Sequence, residues 1–370
     1  MRKVIDNLKI DKTLLFSILT LLVLGIVIFL SASLGILPNN ELKFFIIIKS
    51  QLLYVFVFGL SALFIGSKIN YKYYKKYSII IFALSLIFSL LVFIPALNFY
   101  YNGAHRWINI FGLSIQPSEV LKFSSISLVA FFCAKYSKKF SNLKIGLLPI
   151  SIFIVVVSGI LLLQPDFGTL LVILLSSFLV FFVGGAKWRD IIILGVTGIL
   201  VFLLLITFRP YMKERILTFL EPGREILGSG YQLNQSLIAV GSGQMFGRGI
   251  GQSIQKFNYL PEQISDSIFA VYAEEMGFVG SIILITLFIF IILRGVNISK
   301  YTEDNYGKLL AIGITSIFFF QAVLNIASAI GVAPLTGVPL PLISKGGTSF
   351  VFLMFQFGVL LNISKYKMEV

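Results

Sequence analysis

The chain is predicted to be an all-α polytopic membrane protein of about ten transmembrane helices, and three observations carry that reading. Apolar runs of roughly 18 or more residues recur along its 370 residues, each long enough to cross a hydrocarbon core of about 30 Å. Hydrophobic residues make up 57% of the chain and charged residues 12%, with a mean hydropathy of +0.95, which excludes an ordinary soluble globular fold. Short segments of alternating polarity, the mark of a transmembrane β-barrel, are absent.

The runs fall at about 13–33, 48–66, 78–97, 117–134, 145–163, 168–186, 190–208, 266–293, 309–330 and 346–364. The first lacks a small-residue cleavage site and is followed by nine more, so it reads as an anchor and not as a removed signal peptide. Lys and Arg concentrate on one side: Arg2, Lys3, Lys9 and Lys12 before the first run, Lys68, Lys72, Lys75 and Lys76 after the second, and Lys135, Lys138, Lys139 and Lys144 after the fourth. Lys187, Arg189, Arg294, Lys300, Lys308, Lys365 and Lys367 continue the pattern, whereas the short loops opposite hold only Lys43, Lys49, Arg106 and Lys345. Such a bias places both termini in the cytoplasm. The net charge of +14 is therefore a topology signal and not one of nucleic-acid binding. A single Cys and a single His exclude a disulfide framework and a His/Cys metal cluster.

No linker, low-complexity tract or clear internal repeat divides the chain, so residues 1–370 read as one transmembrane domain. One connection, 209–265, is 57 residues long, and loops of that length are usually functional. It holds Arg209, Lys213, Arg215, Arg224, Arg248 and Lys256; long translocated loops escape the charge rule, and this charge suits an anionic ligand at the outer surface.

Acidic residues are few enough to read singly, at 16 in all. Asp266 lies where the long loop enters an apolar run, which makes it either a functional carboxylate or a helix N-cap. Glu119 and Lys122 are spaced i,i+3 behind Pro117, a residue suited to a first helical turn, so they can pair inside the membrane. The pair either packs the bundle or lines a substrate path. Asp166, in Gln164-Pro165-Asp166-Phe167-Gly168, either caps the next helix or faces the same path. The glycines of 241–251 have neither a following Gly-Lys-Ser/Thr nor a preceding strand, so they form a turn or re-entrant segment and not a phosphate loop. Two prolines and a Gly pair between 337 and 350 prevent regular helix and leave backbone groups that need a protein or aqueous lining. Of Glu274 and Glu275, 274 is the better placed to share the face of Asp266; such a carboxylate pair either reaches a metal or serves acid/base work or, the stronger reading, these acids are simply paired.

The strings His105-Arg106-Trp107-Ile108-Asn109 with Gln116-Pro117-Ser118-Glu119, Pro165-Asp166-Phe167-Gly168-Thr169, Gly230-Tyr231-Gln232 with Gln235-Ser236, Tyr259-Leu260-Pro261-Glu262 with Asp266, and Gly337-Val338-Pro339-Leu340-Pro341 with Gly346-Gly347 together resemble the SEDS proteins of shape, elongation, division and sporulation. These are RodA, FtsW and SpoVE. The resemblance runs the length of the chain, and Tyr231-Gln232 with Gln235-Ser236-Leu237 is more similar to FtsW. Where the family pattern has His-Thr-Asp-Phe and Ser-Tyr-Gly-Gly, this chain has Ile264-Ser265-Asp266-Ser267 and Ser344-Lys345-Gly346-Gly347.

The resemblance implies a peptidoglycan glycosyltransferase of the bacterial cytoplasmic membrane. It would polymerise lipid II at the outer face, for cell division or cell-wall elongation, beside a class B penicillin-binding protein transpeptidase and other membrane proteins of those processes. It implies Asp266 as general base and Arg106, Glu119, Lys122 and Asp166 as cavity or supporting residues. The loop cations Arg224, Arg248 and Lys256 are candidates for the leaving pyrophosphate, and the sequence leaves open whether a divalent cation assists them. A lipid II flippase and a pure scaffold for the transpeptidase are the competing readings.

Overall fold

The computed structural model describes residues 10–366 apart from 39, 96–97, 102–103, 111–112, 141, 209 and 222–227. The chain opens with α1 (Lys12–Ser33); α2 (Glu41–Leu53) and α3 (Leu60–Lys68) are halves of one span joined by a wider turn, and α4 (Tyr71–Leu90) follows. After a small sheet come α5 (Pro117–Tyr136), α6 (Leu143–Leu163), α7 (Phe167–Val183) and α8 (Trp188–Phe208). The long connection carries α9 (Pro210–Leu220) and α10 (Ser229–Ser242). The bundle is completed by α11 (Ile268–Tyr301), α12 (Asn305–Ala329) and α13 (Gly347–Ser364). Among the described residues, nine helical stretches are long and apolar enough to cross a membrane, and the shorter α7 is a tenth apolar helix. They meet the ten apolar runs one for one.

Helix starts follow short polar side chains that satisfy free backbone N–H groups. Asp11 accepts from Leu14 N, Asn40 from Lys43 N, Asn142 from Lys144 N and Asp304 from Gly307 N. Pro117 opens α5, where its missing N–H costs nothing. The interior belongs to α5, α12 and α13, whose residues are mostly buried, while α8 turns Ile199, Leu200, Leu203 and Leu204 outward as a lipid-facing surface. Close approach is achieved with small residues, as expected where lipid supplies no hydrophobic drive between helices. A Cβ at Gly66 of α3 would stand 2.4 Å from the Phe355 carbonyl oxygen of α13. The start of α1 and the end of α13 meet at one face, where Ser364 Oγ accepts from Asp11 N at 3.0 Å and Arg294 pairs with the Asp11 carboxylate at 2.6 Å.

Three features of the opposite face depart from the sequence reading. The segment before α5 is a three-stranded antiparallel sheet, β1 (Asn98–Tyr101), β2 (Ala104–Ile110) and β3 (Leu113–Ile115), in spatial order β1-β2-β3. The eighth span starts at Ile268, so Asp266 stands in the preceding turn and not in the helix. The long connection is folded: α10 runs beside α11, the chain turns at 243–249, and it returns through successive turns to Asp266.

That turn is let into a break in α11. Gly277 has φ +66°, a conformation that costs glycine little, and the helical ladder stops there. Gln244 O and Met245 O accept from Phe278 N and Val279 N at 2.8 and 3.0 Å, while Arg248 N and Gly249 N donate to Glu274 O and Glu275 O, each at 3.0 Å. The backbone groups freed by the break are thus satisfied by the re-entrant turn, which irregular backbone at membrane depth requires.

Candidate functional site

Asp266 is half-buried, and among the described residues its carboxylate carries no hydrogen bond. It is not the cap of α11: that position is Ser267, whose hydroxyl accepts from Gln232 Nε2 at 3.0 Å. Its backbone is held on both sides instead. Ser344 Oγ donates to Ser265 O at 2.6 Å, Lys345 N donates to Ile264 O at 2.8 Å, and Asn325 Nδ2 donates to Asp266 O at 2.9 Å. The loop before α13, predicted to be irregular, is therefore the second wall of the site. At its edge Gly337 has φ +72°, and a Cβ there would lie 3.7 Å from Asp266 Oδ2 and 3.8 Å from Arg215 Nη2. The acid and the guanidinium flank one turn. Burial raises the Asp266 carboxyl from 3.8 to about 6, with nearby Glu262 adding to the rise, while the charges of Arg215 and Arg106 oppose it.

A second polar cluster adjoins the first. Asp166 is buried, and its Oδ1 accepts from Thr169 N at 3.4 Å, so the capping role is real. Its Oδ2 also accepts from Gln116 Nε2 and Ser118 Oγ, both at 3.0 Å, which ties the start of α7 to the start of α5. Arg106, on β2, donates to Pro165 O. One turn into α5, Lys122 Nζ and Glu119 Oε2 form an ion pair at 2.8 Å with side chains only 2% and 4% exposed. A Cβ at Gly168 would stand 2.5 Å from Thr336 O, so α7 packs directly against the turn that carries Gly337. Arg106, Glu119, Lys122, Asp166 and Asp266 are thus gathered at or beneath one face.

Two of the loop cations singled out from the sequence, Lys256 and Arg248, are claimed by buried acids instead. Lys256, expected to be an exposed ligand for an anion, is 0% exposed and pairs with Glu275 at 2.7 Å; Ser31 Oγ of α1 donates to the same carboxylate at 2.5 Å. Arg248 is 39% exposed and pairs with buried Glu274 at 3.4 Å. Glu274 also accepts from Ser253 Oγ at 2.5 Å and from Ile254 N and Gln255 N at 3.1 and 3.2 Å. Buried carboxylates need such partners. Two adjacent acids of α11 therefore claim two of the loop's cations and fasten the re-entrant segment to the bundle, which is the pairing read for them from the sequence. Arg224 lies outside the described residues. Among the described residues no three His, Cys, Asp or Glu side chains assemble as a metal site.

Two residues at the site escaped the sequence reading. Arg215 has nothing local that sets it apart from the other loop cations, because it lies on α9, a helix inside the long connection. Asn325 is a buried amide within an apolar span, a signal of the same kind that drew attention to Glu119 and Lys122.

The architecture is that of a polytopic membrane protein with a half-buried carboxylate and two arginines at one face. The sequence profile of the cell cycle protein family that unites FtsW, RodA and SpoVE matches residues 12–369, and the chain belongs to that family. Stage V sporulation protein E of Bacillus subtilis (strain 168) is 36% identical over 360 residues, covering 97% of this chain and 98% of that protein. The probable peptidoglycan glycosyltransferase FtsW of Coxiella burnetii is 36% identical over 359 residues, covering 96% of each. Among solved structures, a chain of a peptidoglycan synthase complex described as coordinating polymerization and crosslinking superposes with a TM-score of 0.79 at 27% identity, over 96% of this chain and 98% of that one. RodA of Thermus thermophilus superposes at 0.70 with 24% identity, over 98% and 99% of the two chains, a likeness of fold.

Proposed function

We propose that the protein is a peptidoglycan glycosyltransferase that polymerises lipid II at the outer face of the bacterial cytoplasmic membrane. The observation that carries the reading is the Asp266 carboxylate, without a hydrogen bond among the described residues and flanked by the charges of Arg215 and Arg106, in a family whose relatives bear that activity in their names. The acceptor sugar's 4-hydroxyl attacks C1 of the donor sugar, the C1–O bond to pyrophosphate breaks, and the hydroxyl proton passes to Asp266. A carboxylate titrating near 6 is ionised at neutral pH yet more basic than an ordinary aspartate, which suits a general base. Charge grows on the leaving pyrophosphate, and Arg106 and Arg215 are the cations we assign to it. Asp166 holds α5 and α7 in register beneath the site, and the buried Glu119–Lys122 pair lies one turn further into α5.

The Lys/Arg bias supports an orientation with both termini cytoplasmic and the Asp266 face outside. An open apolar groove of about 450 Å³, formed by Val27, Leu30, Leu34, Phe44, Ile48 and Ile250, offers a surface suited to a lipid tail. The partner we assign is a class B penicillin-binding protein, consistent with the synthase complex that this chain resembles. The test is incubation of purified protein with lipid II, with and without such a transpeptidase. Glycan strands are expected. Absence of strands in both arms, together with movement of labelled lipid II across a vesicle bilayer, would transfer the protein to the flippase reading.

A further inference from the structure

Asn325 stands near the end of α12, 1% exposed, in a helix whose neighbouring residues are largely apolar. A buried amide in a membrane span costs free energy unless it is bonded. Both hydrogen bonds that its Nδ2 makes go to backbone carbonyls outside its own helix: Asp266 O at 2.9 Å and Val338 O at 2.8 Å. Its Oδ1 is buried without a partner among the described residues, so the side chain is oriented by those two donations. Among the described residues, of the bonds that fasten 264–267 to the surrounding elements only this one is made to Asp266 itself. Val338 is the residue after Gly337, the turn beside which Asp266 Oδ2 and Arg215 Nη2 both lie.

We infer that Asn325 is a positioning residue: one amide bridges the acid's own backbone to the turn that faces the acid and Arg215, and so sets the spacing between them. The inference rests on the polymerase reading for its kinetic consequence but not for its geometry. Ser344 and Lys345 bond neighbouring residues and keep the two loops together when Asn325 is lost, so the fold keeps these fastenings while Asp266 loses the direct bond to its own carbonyl. Misplacement of a reacting group by about 1 Å costs on the order of 100-fold in rate.

The test uses the full-length protein in lipid nanodiscs. Asn325→Leu keeps the volume and removes both donors; Asn325→Ser, which can bond its own preceding helical turn, is the second variant should leucine impair folding. Two readouts are taken per folded molecule. The first is steady-state polymerisation, where turnover is expected to fall about 10- to 100-fold while half-saturation by lipid II stays within about twofold. The second is the pH titration of the infrared carboxyl band that disappears in Asp266→Asn; its midpoint is expected to move in the Asn325 variants. A structural role alone lowers the yield of folded protein and moves neither readout. Parent-like turnover with an unmoved carboxyl band would overturn the inference. Should the parent make no glycan, the polymerase reading fails on its own and the carboxyl titration still decides whether Asn325 places Asp266.

Discussion

The Glu119–Lys122 pair allows the sharpest stability prediction. The two charged atoms lie 2.8 Å apart, and neither side chain is more than 4% exposed. Replacing Glu119 with Gln leaves a buried ammonium without its counter-charge, and Lys122→Met leaves a buried carboxylate. Removing one partner of such a pair costs about 3–5 kcal/mol, whereas removing both with volume retained is often near neutral. Each single variant should therefore lose about 3–5 kcal/mol, and the double variant far less than the sum. The coupling, which is the two single losses together less that of the double variant, should exceed about 3 kcal/mol, the top of the range that neighbouring residues usually show. Unfolding in mixed micelles titrated with denaturing detergent measures all four corners of the cycle. Additive losses would refute the reasoning, because they would mean that the two charges are solvated independently and that the buried pair does not exist in the working protein.

Further outcomes follow from the site's electrostatics and the loop's fastenings. Burial raises the Asp266 pKa to about 6, so the base we propose is lost as pH falls through 6; kcat/KM should decline on that limb. Arg215→Ala removes a charge that lowers this pKa, so the limb should move to higher pH; Arg215→Lys should restore only part of the rate, since a point charge lacks the planar fork. Because the ionised acid is disfavoured in the folded protein, the cost it imposes is absent below the ordinary value of 3.8, grows between 3.8 and about 6, and is complete above. Asp266→Asn should thus gain up to about 3 kcal/mol of stability at pH 8 and progressively less on acidification, read from melting curves over that range. Lys256→Ala should destabilise by about 3–5 kcal/mol through the stranded Glu275, with loss of protection in 243–260 by hydrogen exchange. Arg248→Ala should cost less, as its cation is 39% exposed.

The ten spans were legible because crossing lipid demands length and apolarity, and both are written locally. The Glu119–Lys122 pair was legible for the same reason: an i,i+3 spacing on a helix is a distance. Asp166 showed its capping role in the order Pro-Asp-Phe-Gly, but not its bonds to Gln116 and Ser118, which join residues 48 and 50 positions away. The long connection was the poorest reading. Its glycines suggested a re-entrant turn, yet nothing local reveals that Gly277 interrupts α11 to receive it, or that Lys256 and Arg248 face Glu275 and Glu274. Charge in a loop reads as exposed until the buried counter-charge is seen. Arg215 and Asn325 were missed for a related reason, since each reaches Asp266 only through the packing of α9 and α12 against the two loops.

Asp266 as the proton acceptor is the central claim, and single-turnover polymerisation of lipid II by the parent and Asp266→Asn tests it most directly. The amide keeps the shape and removes the basicity. The parent should form glycan strands with a rate that follows deprotonation near pH 6, and Asp266→Asn, folded and inserted equally well, should form none. Strands made by the Asn variant at near-parental rate, with no dependence on pH between 5 and 8, would contradict the account.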